Sequence, residues 1–384
     1  MALTEIEMFK EIGHWKPKHK ILQPDDLVPH DDPHYKLFEF VYNLIKEECK
    51  KNPRRKNGEP TLLHPLNVVV NLRRAEVTDP ITLSIGLLHD LVEDQVDFYQ
   101  KTNKTPLSDL CALRSSEQQF YRELSEKLKR YTTPANITLI VETVKLLTRK
   151  KREFYYKSIA AIFSCTNKKM KERAILVKLS DRIHNILSIE TFNEKQRLHE
   201  CFKNIFILNN TKKYLVNTMG EQKLMVYPSI TPMARLFKKC CKATYDAYLK
   251  ICDISSQKGS KSVRSLLQLA FRRFDLTFHG LWEITKLDSR EKHPIRLYQG
   301  VVRKYDSRLL HHFSVFEERE ENERDYCRKL FAKLHFNEHQ IQAIIDYKDA
   351  YSLKEVLAKL LYDPGYYLPG FLTTDLSKRG RIKQ

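Results

Sequence analysis

An all-α fold is predicted by three features of the sequence. Apolar residues recur at intervals of three and four, only 10 of the 384 residues are glycine, and no segment alternates strongly enough to demand a strand. The first 33 residues mix prolines with acids, ending in LQPDDLVPHDDPH, and read as an N-terminal extension (1–33). From Tyr35, YKLFEFVYNLIKEEC carries apolar side chains at 37, 38, 41, 44 and 45, a helical repeat. The stretch KNPRRKNGEPTLLHP interrupts it with Asn-Gly and two prolines. Helices are expected next over 65–75 and 80–93, the second started by Asp79-Pro80.

Residues 95–133 are polar and read as an insertion with one helix around SSEQQFYRELSEKLKRY. Further helical runs fit 134–148, 153–163, 170–189 and 194–217, which makes 34–218 one domain. A second helical domain, 219–384, holds runs such as FKKCCKATYDAYLKICDI, SVRSLLQLAFRRF, ENERDYCRKLFAKLHF and LKEVLAKLLY, and its role is unassigned. No internal repeat or low-complexity tract is visible.

Composition narrows the class. At 42% hydrophobic and 10% aromatic residues, the chain can build a substantial core, which excludes a wholly disordered protein. Lysine and arginine outnumber the acids by 67 to 48, a net charge of +19, in clusters such as KNPRRK, RKKR and KRGRIK. Such a surplus favours anionic ligands. The eight cysteines show no C-x-x-C spacing, as expected of a reduced cytoplasmic chain without a zinc ribbon. No apolar stretch approaches the roughly 20 residues of a membrane span, and MALTEIEMFKEIGHWK lacks the pattern of a secretory signal. On export by a non-classical route the sequence is silent.

The segment GLLHDLVEDQ sets His89, Asp90, Glu93 and Asp94 into an apolar helical run. On a continuous helix His89 would stack with Glu93 and Asp90 with Asp94. An imidazole beside a carboxylate can face one cation, and acids a turn later can orient water on it. Such a centre needs more ligands, and the chain offers His64 in GEPTLLHP and Asp181 in VKLSDRIHN. Taken singly, each has a plain structural explanation: a loop histidine packed beside Pro65, a capping or solvated aspartate. A second His-Asp pair, His30-Asp31 in PHDDP, carries no assigned chemistry at all. It is the set of blocks that points to a metal site.

The order GEPTLLHP, GLLHDLVED, VKLSDRIHN resembles the HD-domain hydrolases of the RelA/SpoT family, which remove the 3′-pyrophosphate from ppGpp and pppGpp. Three blocks match over roughly residues 40–210, and VETVKLLT resembles a further family helix. The resemblance implies an HD-domain helical bundle in which His64, His89, Asp90 and Asp181 bind one divalent cation, usually manganese, with zinc as the alternative. It gives Glu93 and Asp94 the positions of the acidic pair that activates water. Arg55 matches the family arginine that packs by the acidic pair and helps order the substrate loop, Lys56 a basic neighbour near the nucleotide, and Asn185 a residue lining its pocket, with Ser188 on the same helical face as a further substrate-binding candidate. Lys178, Arg182 and His184 could touch phosphate or simply support their helix.

Departures from the family pattern fall on the pocket walls. KKNP replaces H-x-G-Q before the arginine, Thr61-Leu62 replaces Tyr-Ile, and Gln95 replaces the threonine after the acidic pair. The spacing from Asp90 to Asp181 is also longer than the family's, which fits the insertion. The resemblance therefore implies release of pyrophosphate from a guanosine polyphosphate. Two alternatives stand beside it: an HD phosphohydrolase acting on another nucleotide such as NADPH, and a catalytically idle HD fold that binds a partner. No RNA-binding module or zinc finger is visible, so nucleic acid is not an expected partner. No synthetase signature is found in 220–384, a region that could instead serve a protein partner or an oligomer.

Overall fold

The computed structural model describes residues 5–382 except 52, 53, 56, 57, 107, 150–152, 190, 191 and 272–293. Lys56, expected to lie near the nucleotide, is outside the described residues. Among the described residues there is no strand, and only two isolated bridges, Arg54 with Pro60 and Leu376 with Ile382, pair extended backbone. The protein is all-α.

Short polar side chains set where many of the helices start. After α1 (Glu5–Ile12), α2 (Tyr35–Cys49) and α3 (Leu63–Arg74), helix α4 (Pro80–Leu88) is capped by Asp79, whose carboxylate accepts from the amides of Ile81 and Thr82. Proline at the first helical position loses nothing, because its missing N–H would have no partner there. The 80–93 helix expected from sequence is in fact two, because the chain breaks at His89-Asp90 before α5 (Leu91–Thr102). His89 Nδ1 donates to the Gly86 carbonyl at 2.9 Å, the acceptor a continuing helix would offer to Asp90. Asp90 then becomes the cap residue of α5, and Asp94 N donates to its carbonyl at 2.9 Å.

The polar 95–133 stretch is more regular than its composition suggests. Helix α5 runs on to Thr102, and α6 (Leu110–Leu128) begins at a cap in which Asp109 accepts from Ala112 N at 3.0 Å. One face of α6 buries Leu113, Ser116, Tyr121, Leu124 and Leu128. That stripe is hidden in sequence by the many Glu, Gln and Lys residues around it.

Helices α7 (Pro134–Leu147), α8 (Tyr155–Ser164), α9 (Lys168–Leu187) and α10 (Glu194–Met219) complete the first half, with Thr133, Asn167 and Asn193 capping α7, α9 and α10. The inner pair is α3 against α9. Asn71 donates there to the Ser180 carbonyl, while the buried Val68, Val69 and Leu72 lie on the side of α3 that meets Gly86 of α4. Gly86 lets α4 come close: a Cβ at that position would stand 2.9 Å from Leu72 Cδ1.

Beyond the short α11 (Glu221–Met225), α12 (Pro232–Lys258) packs on both α9 and α16 (Glu338–Tyr362), joining the two halves through one buried cluster. Helices α13 (Ser260–Phe271), α14 (Pro294–Leu309) and α15 (Phe313–Leu330) surround α16. The N-terminal 33 residues also contribute to the core. Met8 and Ile12 are buried, α1 packs on α12, and Lys18 exchanges two backbone hydrogen bonds with the Asn67 amide at 2.7 and 2.8 Å.

Four buried charges hold the C-terminal half together. Lys304 on α14 reaches Glu323 on α15 at 2.6 Å and Asp349 on α16 at 2.7 Å, while Lys348 reaches Glu323 at 2.9 Å and Asp349 at 3.1 Å. Burial alone would raise the Asp349 carboxyl, but the two ammonium groups hold it below the usual value. A carboxylate depressed in the folded state contributes stability that is lost as pH falls. Lys304→Met should therefore cost about 3–5 kcal/mol in denaturant unfolding, since it leaves buried carboxylates uncompensated. In the wild type, unfolding free energy should start to fall once pH drops below about 4.

Candidate metal centre and substrate cleft

Three segments remote in sequence converge at one point. His64 sits in the first turn of α3, His89 and Asp90 in the break between α4 and α5, and Asp181 in the buried middle of α9. His64 Nε2 lies 3.2 Å from His89 Nε2, 3.3 Å from Asp90 Oδ2 and 3.5 Å from Asp181 Oδ1. His89 Nε2 lies 3.1 Å from Asp90 Oδ2 and 3.9 Å from Asp181 Oδ1. Donors about 2.1 Å from a shared ion stand about 3.0 Å apart at right angles and about 3.4 Å apart at the tetrahedral angle. His64, His89 and Asp90 fall in or near that range and fit one divalent cation, with Asp181 Oδ1 at the edge of the group, 3.5 and 3.9 Å from the two imidazoles.

Hydrogen bonds fix the tautomers that such a centre needs. His89 gives its Nδ1 proton to the Gly86 carbonyl, which leaves the Nε2 lone pair directed at the cluster. His64 Nδ1 lies 2.8 Å from His184 Nδ1. Burial, with His64 and Arg55 alongside, pushes the His184 imidazole down to about 2, so it stays neutral and accepts the His64 proton. The Nε2 of His64 is thereby bare as well. Asp181 takes Lys178 Nζ on Oδ2 at 2.8 Å and the Asn185 amide on Oδ1 at 2.5 Å.

The protonation energetics describe a site primed for positive charge. His64 is pushed down by burial, although Asp90 opposes it. For His89 burial acts in the same direction, yet Asp90 outweighs it and drives the imidazole up to about 9. Asp181 is held below the usual carboxylate range by Lys178 and His89, against its burial.

A cleft of about 1300 Å³ opens over this cluster. Asp94 lines it, and its carboxyl is pushed up to about 7 by burial in the concave wall and by Asp90. Its partner in the expected acidic pair is placed differently. Glu93 approaches the backbone N–H of Arg149 at 3.4 Å and its guanidinium at 3.9 Å, and it does not line the cleft. Consecutive residues of α5 point about 100° apart, which sends Asp94 and Glu93 to different sides.

Of the expected nucleotide contacts, Arg55, Asn185 and Ser188 line the cleft. Arg55 donates to Asn185 Oδ1 and approaches His184 Nδ1, each at 3.4 Å, while Ser188 Oγ donates to the His184 carbonyl at 2.6 Å. The three doubtful residues divide. Lys178 pairs with Asp181, His184 orients His64, and Arg182 turns to α10, where it donates to Asn204 at 2.6 Å. The distal wall, with Phe98, Lys101, Phe120 and Lys127, was not anticipated from sequence. Its one visible signal was the length of the insertion.

Over 210 residues the chain is 30% identical to a protein of Mycoplasma genitalium named probable guanosine-3′,5′-bis(diphosphate) 3′-pyrophosphohydrolase, a match covering 54% of this chain and 25% of that one. It is 27% identical over 173 residues to the guanosine-3′,5′-bis(diphosphate) 3′-pyrophosphohydrolase of Aquifex aeolicus, covering 45% and 20% of the two chains. A GTP pyrophosphokinase of Myxococcus xanthus is 27% identical over 168 residues, covering 44% and 19%. The match thus spans a quarter or less of the length of these relatives. No family model matches the chain, and no solved structure does. Among the described residues no helix is long and apolar enough to cross a membrane.

The His64–His184 hydrogen bond yields a test of the centre. His184→Leu should weaken manganese binding 10- to 100-fold in a chelator-competition titration, with helical circular dichroism unchanged. Unaltered affinity would mean that His64 is held without it.

Proposed function

We propose that this chain is a metal-dependent phosphohydrolase that removes the 3′-pyrophosphate from guanosine 3′,5′-bis(diphosphate) and related nucleotides, releasing GDP or GTP and pyrophosphate. The observation that carries the reading is the convergence of Asp90 and Asp181 on the Nε2 atoms of His64 and His89, at 3.1–3.9 Å, at the base of a cleft that Asp94 also lines. The printed names of the relatives supply the substrate class. Since some relatives are named for the reverse, synthetic chemistry, the C-terminal half also matters. Its described residues are helical, with no strand on which paired magnesium-binding acids could stand.

Two imidazole nitrogens and two carboxylate oxygens suit manganese, with zinc the alternative. Bound there, the cation supplies Lewis acidity toward a phosphoryl oxygen and toward water. The chain's own residues do the rest. Lys178 and Asn185 hold Asp181 in place, and His184 holds His64. Arg55, at the cleft wall, offers a fixed guanidinium to the anionic substrate. Asp94 takes a proton from the attacking water, whose oxygen forms the new bond to the phosphorus attached to the ribose 3′-oxygen. The bond from that phosphorus to the 3′-oxygen breaks, and the 3′-hydroxyl leaves with a proton.

Purified protein with manganese should release pyrophosphate from guanosine 3′,5′-bis(diphosphate), lose that activity on chelation, and regain it when manganese is restored. Asp94→Asn should lower kcat by about 10²–10⁴-fold. Elemental analysis should find its metal content unchanged, whereas Asp181→Ala should lose both metal and turnover. A metal-loaded wild type that leaves this nucleotide intact would overturn the reading.

A further inference from the structure

The cleft is larger than one reaction needs. At about 1300 Å³ it exceeds the roughly 300–1,000 Å³ common for small-molecule sites. It follows α5 along its whole length, with Leu91, Asp94, Gln95, Phe98, Lys101 and Thr102 forming one continuous helical face in its wall. Asp94 and Lys101 are seven residues apart, or about 10 Å along the helix axis. Beyond Gln95 the cleft therefore has its own wall and its own chemistry, remote from the metal centre.

That chemistry is aromatic and cationic. Phe98 keeps 47% of its surface exposed although it lines a concave site, and Lys51 Nζ stands 5.7 Å from its ring centroid. Lys101 and Lys127 face the cleft from α5 and α6, both exposed, and neither has a carboxylate partner among the described residues. Of the other acids in the wall, Glu48 is engaged by Lys51 at 2.8 Å, Glu123 accepts the Gln119 amide at 2.9 Å, and Asp97 lines the cleft one turn before Lys101.

We infer that this distal half is a second anion subsite, in which Lys101 and Lys127 take the 5′-phosphate chain of the nucleotide whose 3′-diphosphate lies at the metal centre. The inference rests on the function proposed above and assigns it a specificity determinant. Phe98 offers an apolar face to the base that projects beside the two phosphate chains. The rise of about 10 Å along α5 from Asp94 to Lys101 can be bridged by one ribose carrying a diphosphate on O3′ and another on O5′. Built from the α5–α6 segment, the subsite makes the insertion the part of the chain that reads the far end of the substrate.

The test compares guanosine 3′,5′-bis(diphosphate) with guanosine 3′-diphosphate, which keeps the scissile group and lacks the 5′-phosphates, on the full chain with manganese. Wild type should favour the first by about tenfold or more in kcat/KM, the scale of a charge-assisted contact. The Lys101→Gln/Lys127→Gln variant should bring that ratio to within about twofold of unity, and Lys101→Arg/Lys127→Arg should retain it. A wild-type ratio near unity, or a Gln variant that keeps the full preference, would overturn the subsite. Should neither nucleotide be hydrolysed, the hydrolase reading fails separately. The same ratio is then measured as Kd by calorimetry, where equal affinities in the wild type would overturn the subsite too.

Discussion

Everything around the candidate metal centre follows from bringing the His64 and His89 imidazoles within 4 Å of each other and of the carboxylates of Asp90 and Asp181. Groups so close are costly to bury unless each remaining proton and lone pair is satisfied. The chain meets that demand with a second layer: Gly86 for His89, His184 for His64, Lys178 and Asn185 for Asp181. The donor set of imidazole nitrogens and carboxylate oxygens is one that fits a divalent cation.

The same constraint shapes the fold. Asp181 and His184 lie one turn apart on α9, so a slide or rotation of that helix would move a ligand and its neighbour's orienting group together. Helix α9 is fixed by α3 on one side and α12 on the other. Through α12 the second half of the protein, braced by its buried Lys304, Lys348, Glu323 and Asp349, stiffens the site without entering it. The wall of the cleft has a different character. It is built from α5 and α6, which bury one face and leave lysines and an aromatic ring toward the open volume.

Helix starts were readable because capping is local. Asp79-Pro80 begins α4 and Thr133-Pro134 begins α7 through bonds within three residues. Where local signals were weak, the reading lost detail. The stripe of α6 was obscured by its polar neighbours, and the first 33 residues gave no sign that Met8, Ile12 and Lys18 would pack on the body. The break at His89-Asp90 was invisible because the residues on both sides favour helix. Only the bond from His89 to Gly86 shows why the chain turns there.

By itself, then, the sequence determined the all-α class, the helix starts, and the identities of His64, His89, Asp90 and Asp181 as the residues worth following. Each of these is written in short patterns of caps, apolar spacing and motif blocks. Tertiary structure alone decided that the four meet, that His184 sets the His64 tautomer, and that Asp94 faces the cleft while Glu93 meets Arg149. His64 and His89 are 25 residues apart, and His64 and His184 are 120 apart. Contacts across such separations depend on how α3, α4 and α9 pack, and no local pattern encodes that packing.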